Sequence, residues 1–141
     1  RIARHRLDRP AAFDVVEAPL DLGGALSGVG DPQCLVVIDC LTLWVTNVLM
    51  PAHVPAEADT DSLLHTWSQR RQAFLAALRE REAPVLLVSN EIGMGVIPLG
   101  EDVRRVVDEL GRLHQDVAQC CGHITLMVAG QPFSQQVQRW G

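Results

Sequence analysis

Apolar residues occur along this chain in two kinds of run. Residues 34–39 (CLVVID) and 84–89 (PVLLVS) are short, continuous and partly β-branched, as in strands buried on both faces. A third run covers 124–128, and 13–17 (FDVVE) is a shorter strand candidate. Longer segments between them repeat at helical spacing. Over 62–82, Leu63, Leu64, Trp67, Phe74, Leu75 and Leu78 lie near one stripe; over 101–121, Val103, Val106, Val107, Leu110, Leu113 and Val117 do the same. Residues 42–50 predict a short helix and 19–26 a weak one. Gly, Ser, Asp and Pro mark a turn at 27–32, loops follow at 51–61 and 90–100, and a polar tail begins at Gly130.

Strands alternating with helices at these distances predict an α/β fold with right-handed crossovers and a mostly parallel sheet. In such sheets ligands bind beyond the carboxyl ends of the strands. The residues there are Asp39 and Cys40, then Ser89, Asn90 and Glu91, then Ala129 and Gly130. Asp39 closes four apolar residues, and two readings are open for it. It is an acid placed near magnesium and phosphates, or the N-cap of the helix from Thr42. Asn90–Glu91 reads either as part of a site or as a turn with a solvated acid.

Composition narrows the class. At 141 residues, residues 1–141 fit one domain or part of a larger one, and 48% hydrophobic residues can fill a core. The apolar runs are far too short to span a bilayer and no basic-then-apolar leader is present, so a membrane or secreted protein is not expected. A net charge of −5 argues against nucleic-acid binding. Cys34, Cys40, Cys120 and Cys121 have neither zinc nor redox spacing; buried free thiols and a reducing cytoplasm are expected, and no metal site is assigned.

All 12 basic residues are arginine, so no lysine-containing phosphate loop, G-x-x-x-x-G-K-[ST], exists in this chain. An N-terminally incomplete domain, missing its first strand and that loop, is the expectation. Residues 1–10 hold Arg1, Arg4, Arg6 and Arg9 against Asp8, on an otherwise acidic chain. This cluster is either a tail or an anion site, since guanidinium forks match phosphate oxygens. His5 stands between two of these arginines. They disfavour its imidazolium and leave a neutral ring able to attack phosphorus; a plain surface histidine is the other reading. His53, His65, His114 and His123 show no metal spacing and receive no role.

Several segments then converge. Arg1–Ile2, His5, Arg9–Pro10 and Glu17 are followed by IDCLTLWVTN at 38–47 and VSNEIGMGVIP at 88–98. Arg105, Asp108, Gly111, Arg112 and Gln115 come next, then VAGQP at 128–132. In this order and spacing the chain resembles the bifunctional adenosylcobinamide kinase and adenosylcobinamide-phosphate guanylyltransferase family of cobalamin biosynthesis. The resemblance implies a RecA-like P-loop NTPase fold, a three-layer sandwich, in a cytoplasmic homotrimer. It implies phosphorylation of adenosylcobinamide by ATP or GTP with Mg2+, then GMP transfer from GTP to that phosphate through a guanylyl-histidine. By the same resemblance His5 is the guanylylated residue, Arg6, Leu7, Asp8 and Arg9 contact the nucleotide, and Glu17 and Asp39 are acids of the nucleotide site. The chain departs from the family where the phosphate loop is absent, so as written it is expected to lack kinase activity and tight GTP binding, which the full gene product would have. Arg4 also stands where some relatives have a second histidine. The alternative is a non-catalytic nucleotide-fold module that only binds partners.

Overall fold

A computed structural model describes residues 13–51 and 59–137. The elements are α1 (Leu22–Ser27), β1 (Val36–Asp39), α2 (Leu41–Leu49), α3 (Thr60–Glu80), β2 (Val85–Val88), α4 (Glu101–Ala118), β3 (His123–Val128) and β4 (Gln131–Gln136). β1 and β2 pair in parallel with Asp39 opposite Val88, and β3 and β4 form a separate antiparallel pair.

The helical stripes build the core as their spacing predicts. Trp67, Phe74, Leu75 and Ala77 of α3 are buried against Leu41, Trp44, Val45, Val48 and Leu49 of α2. Trp44 meets Trp67 and Phe74 edge-on, with ring centroids 5.0 and 5.2 Å apart. From α4 come Val106, Leu110, Leu113 and Val117. Gly23 lets α1 lie directly on α3, since a Cβ there would stand 2.9 Å from the Phe74 nitrogen.

One polar network runs through this packing. The Trp67 Nε1–H donates to Glu109 Oε2 at 2.6 Å, and Glu109 is the buried charged side chain among the described residues. Arg71 lies 3.7 Å from Glu109 and pairs with Asp116, while Arg112 bonds Glu109 from the next turn. A buried carboxylate is tolerated when charge-assisted donors surround it. Arg81, just past α3, donates to the carbonyls of Val29 and Cys34 at 2.9 Å each and so pins the turn before β1.

Four sequence expectations are corrected. Residues 13–17 form no strand; they lie exposed, with Trp44 Nε1–H donating to Leu20 O and Asn47 Nδ2–H to Pro19 O just beyond. A strand requires a paired neighbouring strand, and no described strand pairs with residues 13–16. β1 and β2 are covered on one face only: Val36, Ile38, Val85 and Leu87 meet the core, whereas Val37, Leu86 and Val88 are exposed. The described helices therefore make two layers with this sheet, not three. Residues 123–128 do not extend the parallel sheet. They fold back on 131–136 across Ala129 (φ 51°) and Gly130 (φ 75°), so the expected tail is a strand. Two successive positive φ values suit a tight two-residue hairpin turn, which holds the chain beside β3 before any crossover is possible. Lastly, Cys34 is exposed and the other three thiols are half-buried, all four free.

Leu113 is fully enclosed and Leu99 is 98% exposed. Leu113→Ala is expected to cost about 2–5 kcal/mol in urea unfolding, and Leu99→Ala less than about 0.5 kcal/mol. Burial, and secondarily the neighbouring Cys120, pushes the Cys121 thiol above its ordinary pKa. Because the fold holds that proton more tightly, the stabilisation is complete below the unfolded-state pKa and is lost as pH rises through the folded one. Iodoacetamide labelling followed by mass spectrometry should therefore modify Cys121 later in a rising pH series than exposed Cys34.

Candidate functional site

The parallel register brings the carboxyl ends of β1 and β2 side by side. Asp39 ends β1 with its side chain exposed. It does not cap the following helix: α2 begins at Leu41 with Cys40 at the cap position, and no side chain bonds the free amides there. The capping reading of Asp39 is thereby removed, and it stands at the strand end as an acid open to solvent.

Around that end α2, the segment after β2 and α4 converge through hydrogen bonds. Thr42, in the first turn of α2, lies 3.2 Å from Ser89 through their hydroxyls. Its Oγ1 also accepts from the Asn90 backbone N–H at 2.9 Å and from Asn90 Nδ2–H at 3.3 Å. Ser89, immediately after β2, lies 2.7 Å from His114 Nε2 on α4. His114 Nδ1 faces Glu91 Oε2 at 3.7 Å, and Glu91 Oε1 accepts the Gly93 N–H at 2.7 Å. The acid thus shapes the turn with one oxygen and faces the histidine with the other.

The histidine ring is set by these neighbours. With a carboxylate toward Nδ1, the favoured neutral tautomer carries its proton there and presents the Nε2 lone pair to the Ser89 hydroxyl. The outer part of the loop is held differently. Arg104 of α4 donates to the carbonyls of Pro98 and Leu99 at 2.9 and 2.6 Å, fixing the loop's return to the helix. Between those anchors Met94, Val96, Ile97 and Leu99 are exposed.

Asp39, Asn90 and Glu91 are brought to one end of the sheet, as their place at strand ends implied. Glu17 lies exposed in the irregular segment before α1, which Trp44 and Asn47 tie to α2. His5, Arg6, Leu7, Asp8 and Arg9 lie outside the described residues. Thr42 and His114 had no role from sequence, and both enter the cluster. The signal for His114 was its place one turn from Leu110 and Val117, at the border of the apolar stripe of α4, where a polar side chain is held close to the core.

The chain matches the model of a family described as cobinamide kinase / cobinamide phosphate guanyltransferase over residues 1–135. The bifunctional adenosylcobalamin biosynthesis protein CobP of Pseudomonas aeruginosa is 43% identical over 133 residues, which cover 94% of this chain and 71% of the relative. The corresponding CobU of Escherichia coli is 32% identical, over 92% of this chain and 74% of the relative. CobU of Salmonella typhimurium is 29% identical over the same shares.

Thr42 is the acceptor on which the Asn90 amide depends. Thr42→Val is expected to destabilise the fold by about 1 kcal/mol. Amide hydrogen exchange at Asn90, followed by NMR, should accelerate in that variant while exchange in β1 and β2 stays slow.

Proposed function

The chain belongs to the cobinamide kinase / cobinamide phosphate guanyltransferase family, and on that premise we propose that it is a bifunctional transferase of cobalamin biosynthesis. It phosphorylates adenosylcobinamide with ATP or GTP, then transfers GMP from GTP to the adenosylcobinamide phosphate. The observation that carries this reading is the parallel strand pair, whose register brings Asp39 and Ser89 to one end of the sheet, where Thr42 bonds Ser89. That is where open α/β sheets bind nucleotides. The family's RecA-like P-loop architecture belongs to the same reading, supported by the parallel pair and its crossover through α2 and α3.

His5 is the residue that takes GMP. A neutral ring nitrogen forms a bond to the α-phosphorus of GTP as the bond to pyrophosphate breaks, leaving a phosphoramidate on the ring. The guanidiniums of Arg6 and Arg9 offset the nucleotide's charge, and Leu7 and Asp8 complete the contacting segment. Glu17 and Asp39 serve the guanine nucleotide as acids, by accepting N–H donors or facing magnesium.

Mg2+ fits this donor set. No group of three or more metal-ligating side chains occurs among the described residues. Magnesium carried on a triphosphate keeps several waters and takes only one or two carboxylates, for which exposed Asp39 is suited. When bound, the ion neutralises phosphate charge.

No described helix is long and apolar enough to cross a membrane, and the described cysteines are free thiols, which agrees with a reducing, cytoplasmic setting. The exposed apolar residues Val37, Leu86 and Val88 support assembly with further copies, as in a homotrimer.

With labelled GTP and magnesium, the full-length protein should acquire one acid-labile, base-stable GMP per subunit. His5→Ala should abolish the label and the GMP transfer while phosphorylation continues, since a kinase passes the phosphoryl group directly to a hydroxyl. Covalent GMP persisting in that variant would remove His5 from the role. A module that only binds partners would form no covalent GMP at all.

A further inference from the structure

We propose that Ser89, His114 and Glu91 form a proton relay that accepts the proton of the hydroxyl being phosphorylated. The inference rests on the kinase half of the proposed function. It starts from the shortest contact at the strand ends, Ser89 Oγ to His114 Nε2 at 2.7 Å. Behind the ring, Glu91 Oε2 stands 3.7 Å from Nδ1. A hydroxyl, a base within hydrogen-bond reach and a third group orienting the base are the parts by which a weakly acidic hydroxyl is made reactive. A tie needed only to hold α4 against β2 has no use for a carboxylate behind the ring. Here that carboxylate stands behind the ring and directs its lone pair to the serine.

Position links the relay to phosphoryl chemistry. Val88 lies opposite Asp39 in the parallel register, so Ser89 is the next residue beyond the rung that carries the strand-end acid. Thr42, 3.2 Å from Ser89, holds it from the other side and is itself fixed by the Asn90 amide. The serine hydroxyl therefore stands where an acceptor hydroxyl would approach a triphosphate held at Asp39.

The step balances as follows. The acceptor oxygen bonds to the γ-phosphorus of ATP while the bond from that phosphorus to the β-bridging oxygen breaks, releasing ADP. The acceptor's proton moves to Ser89 Oγ as the serine's own proton moves to His114 Nε2. The imidazolium then faces Glu91 and returns its proton to solvent between turnovers. Ser89 is the residue that meets the substrate; His114 and Glu91 act through it.

Few charged groups stand near His114. On α4 its neighbours one turn away are Leu110, Gly111, Val117 and Ala118, all uncharged, and α2 carries no titratable side chain. The loop after β2 contributes Glu91, and β1 ends in Asp39 on the adjoining rung. From α3, Arg71 is directed to Glu109 and Asp116.

The test is steady-state phosphorylation of adenosylcobinamide by the full-length protein. His114→Gln, which keeps a good helix former at the site, should lower kcat by about 10²-fold or more with KM little changed. Imidazole in the buffer should partly restore His114→Ala. Glu91→Gln removes the carboxylate that orients the ring, so kcat should fall, by less than in His114→Gln, with KM little changed. This exposed loop substitution keeps the test open if the His114 variants fold poorly. An unchanged kcat in Glu91→Gln, or kcat in folded His114→Gln close to that of the unsubstituted protein, overturns the relay while the kinase assignment stands. If the unsubstituted protein takes up GMP but never phosphorylates the substrate, the kinase reading fails and the relay with it.

Discussion

The pairing of Val36–Asp39 with Val85–Val88 is the constraint on which the rest depends. Antiparallel strands could be joined by a tight turn, but a parallel pair needs a long crossover, and here α2 and α3 supply it. That crossover covers one face of the sheet and carries Trp44, Trp67 and Phe74 into the core. The same register places both strand exits at one end, so Asp39, Ser89 and Asn90 meet with no further folding requirement. Slipping the pairing by one residue would turn Ile38 and Leu87 outward and their neighbours inward, which the core could not tolerate. Site geometry is thus protected by apolar packing and not by the polar contacts themselves.

Legibility in the sequence followed the range of the interactions concerned. Asp39 could be read because a carboxylate closing a β-branched run is a local anomaly. The long helices could be read because Trp67, Phe74, Leu110 and Leu113 repeat at helical spacing. The fate of residues 131–136 was not legible, since Gln131–Gln136 contains a proline and four polar residues, and its strand state comes from the Ala129–Gly130 turn and from pairing with β3. The Thr125 and Ser134 hydroxyls, 2.7 Å apart across that hairpin, carry no period-two apolar signal. Phe13, Val15 and Val16 show the converse: strand-like composition with no described strand to pair with yields no strand.

Within the site the division is similar. Strand-end position pointed to Asn90 and Glu91 but could not reveal that Thr42 and Ser89 share a hydrogen bond across 47 residues. His114 was one of five scattered histidines. Its place at the border of the α4 stripe was the one local signal; its partners arise from the docking of α4 on α2, a tertiary event.

The cluster has one firm side and one soft side. Thr42 follows buried Leu41 directly and is two residues from buried Trp44; His114 follows buried Leu113; and Ser89 continues a strand whose Leu87 packs on the core. Each is therefore placed by an element whose own packing fixes it, the condition under which a hydrogen bond holds its geometry without large entropic cost. Glu91 differs, because it sits in an exposed loop braced by its own bond to the Gly93 amide and by Arg104 farther along. The distances reflect this contrast, 2.7 Å on the strand side of the imidazole and 3.7 Å on the loop side. A ring clamped on one nitrogen and loosely opposed on the other keeps its direction toward the cleft while the charge behind it can approach or withdraw. The orientation of the base and the position of the charge behind it are thereby governed by different elements, β2 and α4 for the first and the loop after β2 for the second.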